Sequence, residues 1–250
     1  MKRVIICGCQ GKMGGVIESG IAEREDMTVV AGFDIRTEPE KPYPVYTNFA
    51  DCKEEADVII DFSNPASLDQ LLDFSVSRQI PVVIATTGYD EEQKTKIHAA
   101  AEKVPVFFTF NLSMGITLLT ELAKKAVAFL GDQFDVEIVE KHHNRKVDAP
   151  SGTALMLADA INEAADNAYH YTYDRHSVRR KREKSEIGIS SVRGGTIVGE
   201  HEIIFAGRDE LIELKHTALS REIFAVGAIN AAAYLAGEKA PRIYTMSDLI

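Results

Sequence analysis

Two hundred and fifty residues, 45% apolar and 26% charged, suffice for one large domain or two small ones with a real core, and exclude disorder as the main state. Twenty-eight basic against 38 acidic residues leave a net charge of −10, which disfavours nucleic acid as a partner, and no apolar run approaches the roughly 18 to 20 residues that span a membrane. The three cysteines, Cys7, Cys9 and Cys52, provide neither a disulfide framework nor a zinc pattern.

At the start, Met1-Lys2-Arg3 leads straight into a short apolar run without a signal peptide's apolar core or cleavage site, so a cytoplasmic protein is expected. Apolar runs at 4–7, 27–33, 58–61, 82–85 and 106–109 end near Gly, Asp, Asn, Ser or Thr and predict strands; helical periodicity marks 13–22, 66–78 and 90–103. This alternation predicts βαβ units and a Rossmann-like, doubly wound parallel sheet of the α/β class. From residue 116 the pattern changes. A helix to 130, a strand at 134–142 and a helix at 151–165 are followed by strand-like runs at 186–192, 196–205 and 211–216 with no helices between. The boundary is placed near residues 112–115, giving a dinucleotide-binding domain over 1–112 and an α+β domain over 113–220. The last helix, 221–236, is apolar on most sides, and the segment 221–250 is expected to return to the first domain.

The first strand runs into Gly8-Cys9-Gln10-Gly11-Lys12-Met13-Gly14, where glycine lets the backbone approach a pyrophosphate and the following helix N-terminus binds its charge. Asp34 ends the second strand 20 residues past Gly14, the offset at which an acid accepts hydrogen bonds from a ribose hydroxyl. An Asp there favours NAD, while Arg36 and Lys12 are placed to neutralise the 2′-phosphate of NADP. Two further strand ends, Ala85-Thr86-Thr87-Gly88 and Thr109-Phe110-Asn111-Leu112, fall where a parallel sheet collects ligands, although ordinary turns select the same residues.

The densest polar stretch runs from Glu140 through His142, His143, Lys146 and Asp148 to Pro150-Ser151-Gly152-Thr153. It links a strand end to a helix start. Ser151, Gly152 and Thr153 are expected to present hydroxyls and N–H groups to a small carboxylate; the two imidazoles and the ammonium supply proton donors. A His142–His143 metal pair is disfavoured because neighbours on a strand point to opposite faces, so no metal is expected. A Ser151 hydrolase triad lacks the nucleophile elbow. A plain helix cap beside solvated histidines is the blander alternative. The residues alone predict a reductase of a small anionic C=C, C=N or C=O compound, with Lys146 or His142 giving the proton. The basic stretch over 179–184 is expected to be a solvated loop.

Glu140-Lys141-His142-His143-Asn144-Arg145-Lys146-Val147-Asp148-Ala149-Pro150-Ser151-Gly152-Thr153-Ala154 resembles the E-x-H-H-x-x-K-x-D-A-P-S-G-T-A signature of the dihydrodipicolinate reductase family. The resemblance extends over Gly8 to Gly14, Ala85 to Gly88, Asn111 to Gly115, Ser191-Val192-Arg193-Gly194-Gly195, Gly199-Glu200-His201 and Phe224 to Ala228. It implies NADH- or NADPH-dependent reduction of 4-hydroxy-tetrahydrodipicolinate, a cyclic dicarboxylate, in lysine and diaminopimelate synthesis. By position, His142 is implied as the catalytic histidine, Lys146 as the proton donor, His143 as a substrate contact, and Ser151, Gly152 and Thr153 as the carboxylate clamp. Gly8, Cys9, Gln10, Gly11, Lys12, Met13, Asp34, Ala85, Thr86, Thr87, Thr109, Phe110, Asn111 and Leu112 are implied to line the dinucleotide. The resemblance further implies a mixed sheet in the second domain that builds a homotetramer. One departure is Ile35 after Asp34, where many members carry Arg. A semialdehyde dehydrogenase is a rival, disfavoured because every cysteine precedes residue 53; a nonenzymatic nucleotide sensor is another.

Overall fold

The structure, a computed structural model, describes residues 1–109, 111–237 and 239–250. Its two units are Met1–Ser113 with Glu222–Ile250, and Met114–Arg221. Among the described residues no helix is long and apolar enough to cross a membrane.

In the first unit, strands β1 (Lys2–Cys7), β2 (Met27–Phe33), β3 (Val45–Tyr46), β4 (Val58–Asp61), β5 (Val82–Ile84) and β6 (Val106–Phe108) alternate with helices α1 (Lys12–Ala22), α2 (Leu68–Arg78) and α3 (Glu91–Ala101). Helix α6 (Glu222–Leu235) and strand β12 (Ile243–Tyr244) complete it. The sheet order is β12-β6-β5-β4-β1-β2-β3, every pair parallel. Helices cover both faces, so the strands read as continuous apolar runs and not as alternating ones. Val4, Ile6, Val58 and Ile60 pack with Ile17 of α1 and Ala228, Ala232 and Leu235 of α6. Ile5, Ile59 and Val82 pack instead with Leu68 and Leu71 of α2 and Ile97 of α3. Each such fully buried aliphatic is worth about 1.5–3 kcal/mol. The strand order reverses between β1 and β4, which opens a crevice outside their carboxyl ends.

In the second unit, α4 (Met114–Leu130), β7 (Asp135–His142), α5 (Gly152–Ala164), β8 (His170–Thr172), β9 (Glu186–Arg193), β10 (Gly199–Ala206) and β11 (Leu211–Ala218) follow in order. The sheet, β11-β10-β7-β9-β8, is mixed: β10 runs antiparallel to β7 and β11, while β7, β9 and β8 are mutually parallel. Helices α4 and α5 bury Ile116, Leu119, Leu157 and Ile161 against Val136, Ile138, Ile189 and Ile203.

The basic stretch is a loop, exposed at every position from 179 to 184 except the half-buried Arg182, and it carries ion pairs that the sequence did not show. Arg179 and Lys181 are exposed, but Arg180 pairs with the fully buried Glu186 at 2.5 Å, and Arg182 with Asp135 at 3.0 Å and Glu137 at 2.9 Å. Arg175 reaches both Glu137 and Glu186 at 2.6 Å. These guanidiniums, Arg175 foremost, outweigh burial and hold the Glu186 carboxyl at about 2. The loop is stapled to the sheet by ion pairs.

Candidate active site

The β1–α1 turn shows why glycine is required. Gly8 adopts φ +80°, and a Cβ there would overlap the Phe62 carbonyl; a Cβ on Gly14 would overlap Gly8 and Cys9 backbone, so the third glycine lets α1 press onto the strand end. Gly11 caps α1 without any side-chain hydrogen bond, leaving first-turn N–H groups, which have no intrahelical acceptor, for an anion. The turn borders a cleft of about 320 Å³ lined by Gly8, Gly11, Asp34, Arg36, Phe62 and Ser63 among others. Asp34 accepts hydrogen bonds from the N–H of Gln10 at 2.9 Å and of Arg36 at 3.4 Å. The Gln10 side chain donates to the carbonyls of Thr37 and Pro39. A dinucleotide fits this cradle: pyrophosphate at the uncapped helix end, ribose at Asp34.

The other expected cofactor residues are placed less uniformly. Lys12 and Met13 open α1 beside the cleft. Cys9 is fully buried, so only its backbone can face a ligand. Ala85, Thr86 and Thr87 follow β5, and Thr109, Asn111 and Leu112 follow β6, at the same carboxyl edge of the parallel sheet. Thr86 is buried beside Asp61, Asn111 accepts from the Ser113 N–H at 2.8 Å, and Leu112 packs in the core. Phe110 lies outside the described residues. The sequence reading missed the β4–α2 turn, Phe62-Ser63-Asn64, which lines the cleft; a buried acid at a strand end, Asp61, was its signal.

In the second unit, one end of the sheet gathers the polar stretch. Parallel pairing sets His142 of β7 beside Arg193 of β9, and antiparallel pairing sets Glu140 beside His201 of β10. Glu140, fully buried, shares its strand face with His142 and takes the ring Nδ1 at 2.5 Å. Arg193 grips the carboxylate with two hydrogen bonds of 2.6 and 2.8 Å. Burial pushes the Glu140 pKa up, but Arg193, with Ser191 and His142, outweighs it and holds the carboxyl at about 2. His201 stands edge-on to His142, ring centres 5.2 Å apart; burial above all pushes it down to about 4, so it is neutral at working pH.

Lys146 pairs with Asp148 at 2.8 Å on the loop that leaves β7. Burial first, then the positive charges of Arg145 and Arg221, lower the His143 pKa, and its Nδ1 is buried without a hydrogen-bond partner among the described residues. Ser151 is placed differently from expectation. It is 2% exposed; its Oγ caps α5 by accepting from the Ala154 N–H at 3.1 Å and joins His201 Nε2 at 3.0 Å. Its hydroxyl therefore builds the turn, while Gly152, exposed, and Thr153, half-buried, open the helix. Arg193, Glu140 and His201 were not singled out as site residues. His142 and His143 belong to no metal-ligand cluster among the described residues; the single such group, His170 with Glu183 and Glu186, has its buried member claimed by Arg175 and Arg180.

Family models described as dihydrodipicolinate reductase, N-terminus and C-terminus, match residues 2–112 and 115–250. A 4-hydroxy-tetrahydrodipicolinate reductase of Clostridium novyi is 49% identical over 100% of this chain and 98% of its own. One of Caldanaerobacter subterraneus is 50% identical with the same coverage. The solved dipicolinate-bound dihydrodipicolinate reductase of Paenisporosarcina sp. TG-14 superposes with TM-score 0.81 at 27% identity, covering 100% of both chains.

Proposed function

Because the chain belongs to the dihydrodipicolinate reductase family, we propose that the cleft of its first unit holds the nicotinamide dinucleotide and the sheet end of its second unit holds the substrate and moves the proton. The protein is an NAD(P)H-dependent oxidoreductase that reduces 4-hydroxy-tetrahydrodipicolinate to tetrahydrodipicolinate in lysine and diaminopimelate synthesis. The observation that carries the site reading is His142 held from behind by Glu140, with Lys146 and the N-terminus of α5 at the same sheet end.

The bound nicotinamide supplies a hydride; this chain's residues do the rest. Gly152 and Thr153 hold a substrate carboxylate at the positive end of α5, and His143 contacts the ring substituents. The substrate hydroxyl leaves as water together with a hydrogen of the neighbouring ring carbon, and Lys146 delivers to the ring the one proton that complements the hydride. Asp148 keeps the ammonium oriented. His142, with Nδ1 on Glu140, presents Nε2 as the second proton-handling atom. Gly8, Gly11, Lys12 and Met13 hold the pyrophosphate and Asp34 the ribose, with Arg36 on the wall of the same cleft. Dipicolinate, present in the Paenisporosarcina structure, is a planar dicarboxylate and supports this choice of substrate class. A homotetramer built through the second unit and a cytoplasmic location belong to the same proposal.

The test is oxidation of NADH and NADPH in parallel, with substrate formed in place from pyruvate and aspartate semialdehyde by the preceding synthase. Synthase-dependent oxidation is expected. Nucleotide binding without oxidation would instead support a sensor.

A further inference from the structure

Glu140 serves two parts of the site at once, one through each carboxylate oxygen. Oε2 takes Nδ1 of His142 at 2.5 Å and Arg193 Nη1 at 2.8 Å. Oε1 takes the N–H of Ser151, the cap of α5, at 3.1 Å and Arg193 Nη2 at 2.6 Å. The same Nη2 donates to the Asp148 carbonyl at 2.6 Å, pinning the loop whose Asp148 side chain pairs with Lys146. Glu140 is fully buried and the Arg193 side chain 19% exposed, so little water competes for these bonds.

We propose that Glu140 and Arg193 are positioning residues that lock the proton-handling and carboxylate-binding parts of the site into one arrangement and fix the His142 tautomer. The role assigned to His142 rests on the proposed reaction; the locking geometry does not. A bidentate guanidinium orients both carboxylate oxygens, and an ionised Glu140 can only accept, so Nδ1 carries the hydrogen and Nε2 faces away. The charged and titratable groups around His142 are Glu140 on its own strand, Arg193 on β9, His201 on β10, and His143, Lys146 and Asp148 on the loop. Lys141, Glu200 and Lys215 form a separate ion-paired group. The ionised state of Glu140 agrees with its lowered pKa.

Glu140→Gln tests this sharply. The single amide oxygen best serves Ser151 N–H and Arg193 Nη2, which turns the amide NH₂ toward His142 and moves the imidazole hydrogen to Nε2. Nitrogen NMR of the ligand-free protein is expected to show Nδ1–H in the wild type and Nε2–H in the variant. Dipicolinate affinity and kcat should both fall, roughly 10- to 100-fold, by analogy with the loss when the carboxylate behind a metal-bound histidine is removed. Arg193→Lys, which keeps the charge and one bond, should recover part of both and retain the wild-type tautomer; it also serves if Glu140→Gln fails to fold. An unchanged tautomer with unchanged dipicolinate affinity in Glu140→Gln, or unchanged dipicolinate affinity in Arg193→Met if that variant must replace it, overturns the proposal. Absence of turnover in the wild type would sink the proposed reaction while the NMR and affinity measurements still decide this one.

Discussion

Ser151→Ala separates the structural from the ligand-binding role of the α5 turn. The substitution keeps the Ser151 N–H bond to Glu140 but removes Oγ from the Ala154 N–H and from His201 Nε2. Loss of the cap costs about 1 kcal/mol, within a range of roughly 0.5–2. His201 is 4% exposed and neutral, so its ring nitrogen is left buried and unsatisfied, at about 1–3 kcal/mol. The expected loss is about 2–4 kcal/mol. Urea unfolding followed by circular dichroism reads it, and hydrogen exchange of the α5 amides assigns it to the second unit. NADH affinity should be unchanged, because the partners of Ser151 among the described residues, Glu140, Ala154 and His201, belong to the second unit. A loss below about 1 kcal/mol, or a double-mutant cycle with His201→Leu showing no coupling between the two side chains, would refute the reasoning.

Replacing Lys146 with Ala should lower kcat by roughly 10²- to 10⁴-fold; steady-state rates at wild-type level would remove Lys146 from proton transfer. Thr153→Val should raise KM for the dicarboxylate while leaving kcat near wild type, and titration with dipicolinate checks the loss directly. Asp34→Ala should weaken NADH more than NADPH, measured as Kd for each; equal losses would mean that Asp34 does not read the ribose. Burial raises the pKa of Asp61, which is 0% exposed and takes bonds from Ser63 and Tyr89. Its stabilising contribution is therefore full below the unfolded value of about 3.9 and is lost as pH rises through the folded one. Asp61→Asn escapes that loss, so its melting temperature relative to wild type should climb as pH rises above about 4; a flat difference would contradict it.

The long elements were legible because periodicity and punctuation agree there. β2 and β4 fall on the predicted 27–33 and 58–61, and α3 starts where Asp90 and Gln93 form a capping box. β3, β8 and β12 are two or three residues long, too short to carry a period of two, and exist through backbone pairing to a neighbouring edge. The ion pairs of the stretch over 179–184 were hidden for a related reason. A run of cations looks unpaired until Glu137, distant in sequence, meets Arg175 and Arg182, and Glu186, just past the run, turns inward to meet Arg175 and Arg180.

The same distance effect divides the site. His142, Lys146 and the Ser151 turn lie within one contiguous stretch and are visible as residue types suited to proton transfer and anion binding. What orients them comes from elsewhere: Arg193 is 53 residues from Glu140, and only the parallel register of β7 and β9 brings them together. Without that register Glu140 reads as one more strand carboxylate, and Ser151 as a ligand hydroxyl. With it, Glu140 becomes an acceptor with every lone pair directed, and the buried Ser151 Oγ becomes a cap engaged with Ala154 N–H and His201 Nε2. With Ser151 buried as the cap, the proposed carboxylate contact falls to Gly152 and Thr153, so Thr153→Val should act on KM and Ser151→Ala on stability. A reversed pattern would show that Ser151 faces the ligand after all.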